Sequence, residues 1–167
     1  MEIFRNIILK LSFLFSCFGI FILLLILFLS FYSIIGRAFL SQPFFGYFEV
    51  VELACASTIF FFLPLCQIKK GNLILDIFTS KLGQLKKEFL DTICYIFLSI
   101  IYLIFSFYMF LGAVDMYNFD EQTMLLRFPI WIAFIPAVSS FILLFFISFF
   151  LFIESLKKTL LRYKSHG

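Results

Sequence analysis

Charge is what this sequence lacks most: Asp, Glu, Lys and Arg make up 14% of its 167 residues, against 63% for the hydrophobic types. A water-soluble domain of this length has no interior large enough to hide so much apolar surface, so the lipid bilayer must be the solvent. Histidine is nearly absent too. The one imidazole, His166, stands in a basic tail, which excludes a haem-binding bundle with axial ligands inside the membrane. Cys17, Cys55, Cys66 and Cys94 fall in apolar runs. With no C-x-x-C pair and no neighbouring histidine they support neither a disulfide framework nor a zinc site, and they are expected to be small core residues. No metal and no other cofactor is expected.

The machinery of several activities is missing as well. Small membrane proteins that transport or catalyse unaided carry ionisable residues deep in a span, because proton relays and ion sites need them there. None occurs here, and no P-loop, H-E-x-x-H motif or paired-carboxylate cluster lies within a span. ATP hydrolysis and metalloprotease chemistry lose their usual groups. The expectation is a protein that is not an enzyme.

What remains is a set of apolar runs of membrane-spanning length, about 20 residues. Leu11 to Gly36, Thr92 to Val114 and Phe128 to Ile153 contain no charged residue. Leu53 to Gln67 is short, but it reaches spanning length if its helix begins near Tyr47 and leaves Glu49 and Glu52 at the interface. The sequence therefore predicts an all-α membrane protein, a single domain over 1–167, with four transmembrane helices at about 11–36, 47–68, 92–114 and 128–153. The first run has 26 uncharged residues, more than a signal-peptide core of about 7 to 15, and no A-x-A site follows it; it reads as an uncleaved anchor.

Lysine and arginine are placed asymmetrically. Arg5 and Lys10 precede the first span, Lys69, Lys70, Lys81, Lys86 and Lys87 lie between the second and third, and Lys157, Lys158, Arg162 and Lys164 follow the fourth. Arg37 and Arg127 alone lie in the other two loops. By the positive-inside rule both termini and the middle loop are cytoplasmic. Within that loop Ile74, Ile77, Phe78, Leu82, Leu85 and Phe89 recur at helical spacing opposite Lys81, Lys86, Lys87 and Glu88. This predicts an interfacial amphipathic helix over about 73–90, with membrane lipids as its partner and no nucleic acid.

Few residues stand out as functional candidates. Glu49 and Glu52, spaced i,i+3, share a helix face at the outer end of the second span. They fit either stabilisation by the helix N-terminus or contact with a partner's cation. Pro129 is expected in the first turn of the fourth span, Pro136 one or two turns deeper as a kink, and Trp131 in the interfacial aromatic belt. Small residues four apart, Ser12 and Ser16, Ala54 and Thr58, Ala133 and Ala137, allow close helix approach within the bundle or to a partner.

Three segments together resemble a known family. Gly46-Tyr47-Phe48-Glu49-Val50-Val51-Glu52-Leu53-Ala54 resembles the acidic opening of the second helix in the small, Q-type (DctQ-like) membrane subunits of TRAP (tripartite ATP-independent periplasmic) transporters. Gly71-Asn72-Leu73-Ile74-Leu75-Asp76, after Lys69-Lys70, is similar to that family's basic-then-G-H-I-x-V-D segment, with Asn72 where histidine is frequent. Thr123 to Leu126, Pro129 and Trp131 resemble its T-x-x-L…P-x-W entry to the fourth helix, with Ile132 where a proline often follows. The resemblance spans about residues 10 to 160. It implies a bacterial inner-membrane subunit that acts as a scaffold for a large, M-type membrane subunit in sodium-coupled organic-acid uptake, alongside a periplasmic substrate-binding protein. It adds Asp76 to the candidate contact residues.

Two other classes compete. A self-contained four-helix carrier or channel would need a polar path, for which Glu49, Glu52, Ser99, Ser106, Ser139 and Ser140 are the available residues. A membrane-bound lipid-modifying enzyme would need an Asp-rich metal motif, which the sequence does not contain.

Overall fold

The computed structural model describes residues 2–40, 46–69 and 84–166. Four long helices account for most of them: α1 (Glu2–Leu40), α2 (Tyr47–Ile68), α3 (Gln84–Asn118) and α4 (Phe134–His166), the last entered through a 3-10 turn at Ile130–Ala133. All four are long and apolar enough to cross a bilayer, and the chain is a multi-pass membrane protein. At 1.5 Å per residue the 22 residues of α2 extend about 33 Å, close to the hydrocarbon thickness, whereas the 39 of α1 run well past it. The helices outlast the apolar runs because backbone hydrogen bonding continues into the charged flanks.

The expected amphipathic helix falls largely outside the described residues, as does Asp76. Residues 84–90 are helical, and they form the first two turns of α3, continuous with the span.

Packing follows the order α1, α2, α4, α3, with α1 and α3 at the two edges and α3–α4 the most extensive contact. The core cluster joins Ile8 of α1, Tyr95 of α3 and Leu143, Ile147, Phe150 and Leu151 of α4, with Ile68 of α2 against it. These positions lie toward the end of the bundle that carries the chain termini. α1 and α4 both lie against α2 and make little contact with each other; the end of the bundle opposite the termini is its distal end.

Small side chains set the closest approaches. On α1 the buried stripe is Ile8, Ser12, Ser16 and Gly19, and a Cβ at Gly19 would lie 3.1 Å from that of Phe61 on α2. Thr58 and Ala137 are buried as well. Of the small-residue pairs, these members serve contacts inside the bundle. At the three-helix junction Phe141 meets Phe60 edge-on at 5.8 Å and stacks on Phe105 at 5.6 Å.

Several polar groups in the spans join helices, whereas the buried hydroxyls of Ser12, Ser16 and Ser33 on α1 have no hydrogen-bond partner among the described residues. Pro64 is buried inside α2, and its missing N–H deprives the Phe60 carbonyl of its helical donor. Ser140 of α4 replaces it, donating to Phe60 O at 2.6 Å. This is how a membrane helix tolerates proline: a neighbouring hydroxyl satisfies the freed backbone group. Eight and fifteen residues on, along the same face of α4, Ser148 accepts from Gln67 Nε2 at 3.4 Å and Ser155 shares a 2.8 Å hydrogen bond with Thr92. Contacts of this kind contribute roughly 0.6 to 2 kcal/mol each.

The cysteines depart from expectation. Cys17, Cys55 and Cys66 face outward and Cys94 is half-buried. A thiol is apolar enough for hydrocarbon, so apolar context in the sequence does not separate lipid-facing from core positions.

Candidate functional site

At the distal end the chain brings α2, the α3–α4 loop and the entry to α4 together. The loop is built from the end of α3. Asp120 takes a left-handed conformation (φ 49°), its N–H donates to Tyr117 O at 3.2 Å, and the Glu121 N–H donates to Met116 O at 3.1 Å. These two bonds make a Schellman stop, with Asp in the place usually held by Gly. The chain then doubles back: Ile130 N–H donates to Glu121 O at 3.1 Å and Thr123 N–H to Phe128 O at 3.0 Å, while Gln122 bridges Pro129. Between them Thr123 to Arg127 forms one helical turn, closed by Arg127 N–H to Thr123 O at 3.1 Å and by Phe128 N–H to Thr123 Oγ1 at 3.0 Å.

An isolated helical turn leaves its leading N–H groups without partners. Glu49 supplies them. Its Oε1 accepts from Leu125 N–H at 2.8 Å and its Oε2 from Leu126 N–H at 3.0 Å. One carboxylate thus clasps two successive amides, the geometry that suits an anion. The start of α2 is shaped for this contact. Gly46 has φ 86°, and a Cβ there would lie 2.7 Å from Leu126 Cγ, so backbone conformation and close approach both require glycine. Glu49 N–H then donates to Gly46 O at 3.1 Å, closing the first turn.

The other candidates have simpler surroundings. Glu52 is exposed and has no hydrogen-bond or ion-pair partner among the described residues, so the two carboxylates share a helix but not an environment. Pro129 (φ −68°, ψ 121°) directly precedes the 3-10 turn. Pro136 is the third residue of α4, within a turn of the 3-10 segment. Its carbonyl accepts from Ser139 Oγ at 3.0 Å. Trp131 meets Tyr117 edge-on at 5.8 Å.

Below the clasp lies a half-open cavity of about 360 Å³, bounded by Ile22 of α1, by the face of α2 from Glu49 to Phe61, by Leu126 and Phe128 of the loop and by Ile132, Ala133 and Pro136. Apart from Glu49 and Ser57 its walls are apolar, and the Ser57 hydroxyl donates to Leu53 O at 2.8 Å.

The six polar residues that a self-contained carrier would need do not gather around this space. Glu49 is engaged with the loop, Ser139 and Ser140 bond to backbone carbonyls, Ser99 is buried on α3, Ser106 lines a separate groove between α3 and α4, and Glu52 faces outward. Sequence reasoning missed the partner of Glu49, because backbone amides have no side-chain signature, and it assigned no role to Gly46, Thr123 or Pro64. The spacing of Gly46 and Glu49 was the one available signal.

Comparison with known proteins bears on this region directly. The family model described as tripartite ATP-independent periplasmic transporters, DctQ component, matches residues 25–158, which include the clasp, Pro64 and Ser140. No curated protein and no solved structure matches the chain.

Proposed function

The chain belongs to the DctQ-component family, the small permease subunits of tripartite ATP-independent periplasmic transporters, and from that premise we propose that it is a scaffold for the large membrane subunit in sodium-coupled uptake of an organic acid. In this reading it carries no substrate itself. A periplasmic binding protein captures the acid, and the large subunit moves it with sodium. The membrane is the bacterial inner membrane, with both termini in the cytoplasm. The family is one of transporter components, not of enzymes.

The observation that carries the scaffold reading is how the polar residues of the spans are used. Ser140, Gln67, Ser148, Thr92 and Ser155 hold helices to one another, and Glu49 holds a loop. Side chains committed to packing suit a fixed support, whereas a carrier needs groups free to bind and release. The arrangement in a row supports a partner as well: at most 28% of the most apolar stretch of any span is buried within the chain, which leaves broad faces for another subunit or for lipid. Glu52, exposed near the distal end, is the carboxylate open to a cation of the large subunit.

The test is co-purification and uptake. The tagged chain, extracted in mild detergent, should bring a larger multi-span protein with it, and deletion of either gene should abolish sodium-dependent organic-acid uptake. A lone chain that catalyses flux in proteoliposomes would defeat the scaffold reading in favour of a self-contained carrier.

A further inference from the structure

We propose that the cavity beneath the Glu49 clasp is a binding site for one acyl chain of a phospholipid whose headgroup carries an ammonium, drawn from the leaflet at the distal end. This goes beyond the scaffold reading and does not depend on it.

The cavity follows from the packing. α1 and α4 both pack on α2 with little contact between them, and small residues, Ala54 and Ser57 on α2 and Ala133 at the entry to α4, leave the wedge between them unfilled. Its extent matches one leaflet. Glu49 and Phe61 mark its ends along α2, twelve residues and so about 18 Å at 1.5 Å per residue, against about 15 Å for half of a hydrocarbon core. The clasp, at the roof of this wedge, marks the interfacial end, and the cavity runs from there into the bilayer.

Size and chemistry choose the occupant. A transmembrane helix with its side chains is about 10–12 Å across, and 18 Å of it would fill several times the 360 Å³ present. A single extended hydrocarbon chain suits that space. Water and polar ligands do not, because the one hydroxyl in the wall below Glu49, that of Ser57, already donates to Leu53 O.

Charge selects the headgroup. Asp120 and Glu121 in the roofing loop, together with Glu49 at the cavity's edge, outnumber Arg127 of that loop and Arg37 in the last turn of α1. A purely anionic headgroup would meet repulsion there, whereas an ammonium is attracted, at about 1 kcal/mol per charge near a membrane surface.

The experiment uses the full chain, purified from nanodiscs of equal phosphatidylethanolamine and phosphatidylglycerol and examined by native mass spectrometry. The wild type should retain one phospholipid per chain, with the ethanolamine lipid favoured about fivefold. Ala54→Phe, which fills the wedge, should reduce retention by at least a similar factor. Ala133→Leu, which narrows it from the other wall, provides a second variant if the first fails to fold. Asp120→Lys with Glu121→Lys should abolish the headgroup preference while leaving retention in place. Absence of retained lipid in the wild type, unchanged retention in both filled variants, or preference for the glycerol lipid would each overturn the proposal. A chain that keeps its lipid but never co-purifies with a larger subunit would sink the scaffold reading and leave this one standing.

Discussion

Glu49 and Glu52 show how little a pair of identical residues three positions apart reveals about what each does. Helical spacing puts both at the start of α2, yet Glu49 turns to the loop and takes two amides while Glu52 stays exposed. Removing the clasp should therefore loosen the loop and leave the bundle intact. Glu49→Ala is expected to expose the Arg127–Phe128 bond, so that trypsin cuts there faster than in the wild type, with Glu49→Gln intermediate because the amide oxygen still accepts one hydrogen bond. Glu52→Ala should leave the cleavage rate unchanged. Equal rates in wild type and Glu49→Ala would mean that the loop holds its shape through Thr123 and the Schellman stop alone. The acidic pair was legible in the sequence as an anomaly at the end of a span, but its function was not, since the partner of Glu49 is main chain from 76 residues further on.

Among the elements, α2 depends most on its neighbours, because an interior proline breaks its hydrogen-bond ladder. Ser140→Ala leaves Phe60 O without the side-chain donor it now has, and the expected loss is about 1 to 2 kcal/mol in a reversible unfolding assay. Pro64→Ala restores the backbone N–H that would satisfy the same carbonyl. In that background Ser140→Ala should lose much less, and the double-mutant cycle should show coupling of about 1 kcal/mol. Additive effects would separate the hydroxyl from the proline. The four helices themselves could be read from runs without charge, since a charge inside hydrocarbon is costly enough to write the spans into the sequence. Pairing could not be read that way. Lipid and protein interior are equally apolar, which is why Cys17, Cys55 and Cys66 looked like core and lie outside it, and why nothing in the pattern announced that α1 would pack on α2 and not on α3. The first two turns of α3 fell within the segment expected to lie in the interface, since amphipathic spacing does not show whether a helix bends away from the span that follows or runs straight into it.

At the scale of the whole molecule the two ends of the bundle differ in both charge and packing. The terminal end holds the core cluster, with Ile8, Tyr95, Ile147 and Leu151, and eleven of the thirteen Lys and Arg residues belong to the termini and the middle loop on that side. The distal end holds the clasped loop, with Asp115, Asp120 and Glu121 against Arg127 and, in the last turn of α1, Arg37. An orientation with the terminal end in the cytoplasm satisfies the positive-inside bias and leaves the acidic loop outside, where the negative potential of the inner leaflet does not act on it. Reporter fusions after Lys86 and Lys158 should accordingly score as cytoplasmic, and fusions near Ser41 and Asp120 as periplasmic. The bias also predicts how the orientation fails. Because short loops count most, replacing Lys69, Lys70, Lys81, Lys86 and Lys87 together with neutral residues should produce a mixed population, whereas Arg37→Gln or Arg127→Gln should leave the topology unchanged. A periplasmic signal at Lys86 in the unaltered chain would invert the molecule, placing the clasped loop in the cytoplasm and its cavity in the inner leaflet.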